Sequence, residues 1–179
     1  MLLFEQTFYL SHNTKLVKGD SEPVYLPRSG MCQYHQLIFA HGYFASALHE
    51  ISHWCLAGEE RRLLEDFGYW YLPDGRTKKQ QQHFEHVEIK PQAIEWAFSV
   101  SCNKNFIISA DNLNGSATDS VDFKQSVYDQ IHHYLIAGFP PRAQQFIAVL
   151  ADFYQVQWPL NSAQFRPNGL ADNQLNKVS

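Results

Sequence analysis

Between Gly42 and Gly58 the apolar residues recur at helical spacing, and this segment constrains the fold more than any other. Phe44, Ala47, Leu48, Ile51 and Cys55 form one stripe, which predicts a helix over Tyr43–Ala57 with Gly58 as its C′ residue. The same stretch reads His49-Glu50-Ile51-Ser52-His53, an H-E-x-x-H sequence. Residues four apart in a helix lie one above the other on one face. Two imidazoles so placed can both reach one metal ion at about 2.1 Å. Glu50 is one residue on from His49, so it projects beside the metal rather than supplying a third ligand. In zinc peptidases a glutamate at that position is the general base.

The rest of the chain mixes helices and short strands without a regular βαβ order, so the predicted class is α+β. Leu3, Phe4, Phe8 and Tyr9 mark a helix over 1–12. The Gly- and Pro-containing stretch 19–31 is a loop with a short strand at Val24–Leu26, and QLIFA (36–40) is a buried strand. Glu59–Asp66 is charged and starts a second helix or a turn. GYWYLPDGR (68–76) reads as an aromatic strand and a turn, TKKQQQ (77–82) as a solvated loop, and Phe84–Ile89 as extended. Pro91 suits a first helical turn, so a helix is predicted from about Glu88 or Lys90 to about Ser101. FIISA (106–110) is a further strand. Ser120 caps a helix over 121–137, with Phe123, Val127, Ile131, Tyr134 and Leu135 inward and Gly138 ending it. After Pro140-Pro141 a last helix, over about 142–155, buries Phe146, Ile147, Val149, Leu150 and Phe153. The expected architecture is one compact catalytic domain over 1–160, its H-E-x-x-H helix packed on a small mixed sheet around a zincin-like metal site, with a polar tail over 161–179.

Composition narrows the function classes. The 179 residues are 45% hydrophobic and 18% charged, enough to bury a core and too few charges for a solvated, disordered chain. A net charge of −4 disfavours a nucleic-acid partner bound through phosphate neutralisation. No apolar run reaches the roughly 18 residues of a membrane span, and the start lacks the basic region and cleavage site of a secretory signal. Cys32, Cys55 and Cys102 are odd in number and far apart, which suits reduced thiols in the cytoplasm. Phosphate loops, dinucleotide fingerprints and nucleophile elbows are absent.

Two imidazoles leave a metal site incomplete, and a third ligand is most often a carboxylate. A further His six residues after the motif would fall at Glu59, so that route is closed. Glu65 and Asp66 follow too soon, in a charged run. Glu88 and Glu95, in VEIKPQAIEWAFS (87–99), are seven apart and would share one helix face. Glu88 is preferred, because a first-turn position would set its carboxylate at the positive helix end. The stretch also resembles the E-x-x-A-N-x-F-A helix that supplies the third ligand in one group of H-E-x-x-H peptidases, with Pro91-Gln92 standing for Ala-Asn. Glu95 is the runner-up, or stands behind a ligand, or is a surface carboxylate. His41 precedes the helix by one turn and could orient a ligand, whereas His83, His86, His132 and His133 read as surface residues. Such a site with zinc activates water for hydrolysis, and with iron(II) it binds and activates O₂. Ligand identity leaves both open, together with a non-catalytic metal-binding adaptor.

AHGYFASALHEISHWCLAG (40–58), DFGYWYLPDGR (66–76), VEIKPQAIEW (87–96), DNLNG (111–115) and KGDSEPVYLP (18–27) together resemble the elongation factor P hydroxylase family of bacteria. The resemblance spans the chain up to about residue 155. It implies a metal-dependent monooxygenase that hydroxylates a lysine of translation elongation factor P after that side chain has received a β-lysyl group. On this reading a divalent metal, iron(II), is held by His49, His53 and Glu88, with O₂ as co-substrate and Glu50 beside the metal as proton relay or as a support for the ligands rather than as a peptidase base. Order and spacing differ from the H-x-D…H of jelly-roll oxygenases, and few strands are visible, so 2-oxoglutarate is not expected. Elongation factor P docks transiently, with no nucleic acid and no membrane involved. Asp66, Asp111, Glu95 and Tyr69, Trp70 and Tyr71 are candidates for the walls that take a cationic side chain. The alternative is a zinc-dependent metallopeptidase using His49-Glu50-x-x-His53.

Overall fold

The computed structural model describes residues 1–67, 76–109 and 121–166. Among these residues five helices accompany a three-stranded sheet, on which α1 and α2 pack: α1 (Leu2–His12), β1 (Thr14–Lys18), β2 (Val24–Leu26), β3 (His35–Phe39), α2 (Phe44–Leu56), α3 (Lys78–Ser101), α4 (Val121–Ala137) and α5 (Pro141–Phe153). The sheet order is β1-β3-β2, with β1 parallel and β2 antiparallel to β3, so the sheet is mixed. This is the α+β class the patterning predicts. β1, whose sequence is TKLVK, is not singled out by that patterning. Its lysines mask an alternation in which Thr14 and Leu16 point inward.

α2 runs where the apolar stripe places it. Ala47, Leu48, Ile51, Trp54 and Cys55 are buried, while Phe44, at its first position, is about half exposed. The helix packs against β3, α3 and α5. Phe4 and Phe8 of α1 meet Trp54 at ring-centroid distances of 5.2 and 4.8 Å, and Phe98 of α3 meets Phe146 of α5 at 5.3 Å. These edge and tilted contacts tie four helices into one core. Arg142, near the start of α5, lies over the Trp54 ring and donates to the carbonyls of Cys55 and Ala57. It thereby satisfies orphan acceptors at the C-terminal end of α2, where a cation is also favoured by the helix dipole.

α3 departs most from expectation. It starts at Lys78, so TKKQQQ is not a loop and Phe84–Ile89 is not extended. Thr77 and Gln80 form a capping box: the Thr77 hydroxyl accepts from the Gln80 N–H, and the Gln80 side chain accepts from the Thr77 N–H. Pro91 sits in the helix interior and not in its first turn. An interior proline costs about 3 kcal/mol. Burial of Ala93, Ile94, Trp96, Ala97 and Phe98 just beyond it supplies more than that, at about 1.5–3 kcal/mol for each large side chain.

Other differences are smaller. Glu59–Asp66 contributes one 3-10 turn, Arg61–Leu63. Residues 106–109, expected as a strand, pair with no strand among the described residues. Instead the Gln92 amide receives the Ser109 N–H and donates to the Ser109 carbonyl, and Phe106 stacks on Trp96 at 5.7 Å. α4 buries Phe123, Val127, Ile131 and Tyr134, and Leu135 is half-buried. In α5 Phe146, Ile147 and Leu150 are buried, but Phe153 is largely exposed. Beyond α5, Asn161 caps a short turn over Ser162–Gln164, and Phe165 packs on Trp96 at 5.5 Å. No described helix is long and apolar enough to cross a membrane. The Ser120 cap, the aromatic segment 68–75 and Asp111 lie outside the described residues.

Candidate metal centre

One helical turn separates His49 from His53 on α2, and their rings converge. The two Nε2 atoms are 3.1 Å apart and the ring centroids 4.6 Å. Glu88 reaches the same gap from α3. Its Oε1 is 3.1 Å from His53 Nε2 and its Oε2 is 3.8 Å from His49 Nε2. The ligand atoms of His49, His53 and Glu88 all lie within 4.8 Å of one another. Metal bonds of about 2.1 Å set neighbouring ligand atoms roughly 3.0–3.4 Å apart, so two of the three edges already match and the third needs a small shift. The Glu88 side chain is 3% exposed, and its Oε2 is a buried oxygen without a hydrogen-bond partner. A buried, unpartnered carboxylate oxygen is costly, and a cation in the gap removes that cost. The donor set of two imidazoles and one carboxylate suits zinc or iron(II).

The structure corrects the reason for choosing Glu88. Its residue is the eleventh of α3, not in a first turn, so the helix end does not stabilise its charge. Burial works against ionisation there, but the hydrogen bond and charge of His53, and then the charge of His49, hold the Glu88 carboxyl below its usual range. The expectation that Glu88 and Glu95 share a face is met: both face His49, at different ring nitrogens. Glu95 Oε2 lies 2.9 Å from His49 Nδ1. Burial disfavours a charged His49, yet the Glu95 hydrogen bond and the charges of Glu95, Glu88 and Glu50 outweigh it and push the ring up to about 10. Three acids around two imidazoles therefore favour positive charge in this gap.

Glu50 is half-buried beside the cluster. Burial, reinforced by Glu88 and Glu95 against the pull of His49 and His53, raises its carboxyl above the ordinary value. Glu50 and His53 line a pocket whose other walls include Tyr25, Leu37, Trp54 and Asp66. Asp66 forms an ion pair with Arg61 and a backbone bridge to Tyr25, so its charge is already balanced within the wall. His41 is exposed, with a left-handed φ of 52°, and packs on Tyr43 rather than on the cluster. His83 and His86 are exposed, as expected, while His132 is half-buried and bonds the Tyr128 carbonyl. Asp111, Tyr69, Trp70 and Tyr71 lie outside the described residues. Trp54, beside the H-E-x-x-H residues, is one of the neighbours the sequence offers to keep bulk water away, whereas nothing in the sequence marks Tyr25 as a pocket residue. Tyr25 carries only the signal of a core aromatic, and the pocket arises where β2, α2 and the Arg61–Leu63 turn meet.

An α+β domain that brings two helix-borne imidazoles and a carboxylate from a second helix into one gap belongs with proteins whose side chains could hold a metal ion. Sequence comparison narrows the class. Residues 3–165 match the family model described as Elongation factor P hydroxylase. The elongation factor P lysine hydroxylase of Haemophilus influenzae is 48% identical over 163 residues, covering 91% of this chain and 92% of that protein. The chain belongs to the elongation factor P hydroxylase family.

Proposed function

We propose that this protein hydroxylates a lysine side chain of translation elongation factor P, at a metal held by His49, His53 and Glu88. The observation that carries the reading is the convergence of those three side chains in a chain similar over 91% of its length to a relative named for that reaction. The resemblance implies that the lysine already bears a β-lysyl group. Family membership favours this reading over the peptidase that the H-E-x-x-H sequence also fits. The site is zincin-like only in that its first two ligands lie four apart on one helix.

Iron(II), the metal this reading assigns, supplies O₂ binding and activation when bound between two imidazoles and a carboxylate. The protein's own residues do the rest. Glu88 and the imidazoles balance charge in a gap that is nearly closed on the α3 side and open on the α2 side, where His49 and His53 side chains are 30% and 19% exposed. The pocket walls formed by Leu37 and Trp54 exclude water next to His53. Glu50, with its carboxyl raised, holds and passes a proton at the pocket edge. The reading includes no 2-oxoglutarate, in line with a small three-stranded sheet in place of a jelly roll among the described residues. Elongation factor P docks transiently in the cytoplasm.

The test is mass spectrometry of β-lysylated elongation factor P after incubation with the iron-loaded protein, O₂ and a reductant. A gain of one oxygen atom on the modified side chain supports the reading, and cleavage or an unchanged mass overturns it. Glu50→Gln is expected to slow hydroxylation by roughly a hundredfold or more while metal binding persists. Full activity in that variant would remove Glu50 from the mechanism.

A further inference from the structure

His49 is held from behind by α3. Its Nδ1 lies 2.9 Å from Glu95 Oε2. An ionised carboxylate only accepts hydrogen bonds, so the shared proton belongs to Nδ1. That leaves the other ring nitrogen, Nε2, turned to the gap it shares with His53 Nε2 at 3.1 Å and Glu88 Oε2 at 3.8 Å. Glu95 itself stands outside the set of mutually close ligand atoms, which consists of His49, His53 and Glu88.

The platform under Glu95 is rigid. It lies seven residues beyond Glu88 on α3, between the buried Ile94 and Trp96, and its side chain is only 11% exposed. A carboxylate there has few rotamers and little water, so its bond to His49 restricts the ring. We propose that Glu95 is a positioning residue, whose hydrogen bond to Nδ1 orients the His49 imidazole and strengthens Nε2 as a metal donor. One rigid helix then delivers both a ligand, Glu88, and the buttress of a ligand on its neighbour. Carboxylates placed behind a metal-bound histidine act in this way, and their removal weakens metal binding by about 10–100-fold. The inference rests on the reading of His49 as a ligand and is independent of the reaction catalysed.

Zinc titration of the full chain tests it, with Glu95→Gln and Glu95→Ala compared with the unsubstituted protein. Glu95→Gln is expected to keep one zinc per chain with affinity lowered about 10–100-fold. Glu95→Ala, which removes the acceptor altogether, is expected to bind more weakly than Glu95→Gln. With cobalt(II) in place of zinc, both variants are expected to shift the ligand-field absorption bands. Unchanged affinity and bands in Glu95→Gln would overturn the proposal. So would complete loss of binding in Glu95→Gln while Glu88→Gln still binds, because Glu95 would then be the ligand. If the variants do not fold, the imidazole protons of the unsubstituted zinc-loaded protein decide by NMR: a His49 Nδ1 proton protected from solvent exchange supports the proposal, and a freely exchanging one overturns it. Failure of the unsubstituted protein to bind either zinc or iron would overturn the ligand reading and this inference together, whereas binding that is indifferent to Glu95 sinks this inference alone.

Discussion

The centre is built by two helices of opposite character. α2 is amphipathic: one side buries Leu48, Ile51, Trp54 and Cys55, and the other carries His49, Glu50 and His53 toward the gap. α3 is buried almost without interruption from Pro91 to Ser99, and its polar residues are buried with the rest. Gln81, Glu88, Gln92, Glu95 and Ser99 recur along it at spacings of seven, four, three and four residues, which is one helical face. That face is a polar stripe inside the protein rather than on its surface. Two of its members meet His49, and a third latches Ser109. The contrast shows a division of labour. In the proposed reading an exposed-faced helix offers metal donors to solvent and substrate, while a central helix supplies the charge that must stay dry.

The comparison breaks most sharply at the proposed ligands. Glu88→Ala and His53→Ala are both expected to abolish stoichiometric metal binding and to lower hydroxylation by about a thousandfold or more, since metal stabilisation of this kind is worth several kcal/mol. Metal content per chain and product mass measure it. If His53→Ala is inactive and Glu88→Ala retains metal and activity, α3 does not complete the centre, and the pairing of helices argued above fails.

Next in size is the packing that makes α3 a fixed platform. Phe98 is fully buried at the crossing with α5, facing Phe146. Phe98→Ala is expected to cost about 3–5 kcal/mol in denaturant unfolding, a cavity loss that α3 cannot relax around. Lys79→Ala, at the exposed end of the same helix, is expected to change stability by less than about 0.5 kcal/mol. Similar values at both sites would mean that α3 is not anchored mainly by its C-terminal half.

These two helices also mark what a sequence shows. α2 is legible because everything that defines it is local: an apolar stripe at helical period, glycines at both ends, and two histidines one turn apart. α4 was legible for the same reason. α3 hides three ways. Its first turn, Lys78-Lys79-Gln80, looks like a solvated loop unless Thr77 and Gln80 are read as a capping box. Its buried middle has no solvent-facing side to set a period, its polar stripe being buried with the rest, and Pro91 suggests a start where the helix is already thirteen residues old. Helix burial on all sides is fixed by α2, α4 and α5 together, which no window of α3 contains. The seven-residue spacing of Glu88 and Glu95 did survive as a signal, but which ring nitrogen each would meet depended on how α2 crosses. FIISA errs in the other direction. Its β-branched run looks like a strand, yet the described part finds a glutamine side chain where a strand neighbour was expected.

The smallest effect sharpens the contrast within α3 itself. Thr77→Ala removes half of the capping box and is expected to cost about 1 kcal/mol, read by chemical denaturation. The loss should be local. Lys78, Lys79, Gln80 and Gln82 are exposed, so the first turn can fray without opening the core, and amide exchange should quicken there but not beyond Pro91. Glu88 lies eleven residues from Thr77, about three turns and roughly 16 Å along the axis. Metal affinity in Thr77→Ala is therefore expected to match that of the unsubstituted protein. A weakened affinity would show that the capped, solvated half of α3 sets the position of Glu88, and the platform would then extend back to residue 77 instead of beginning with the buried stretch at Pro91.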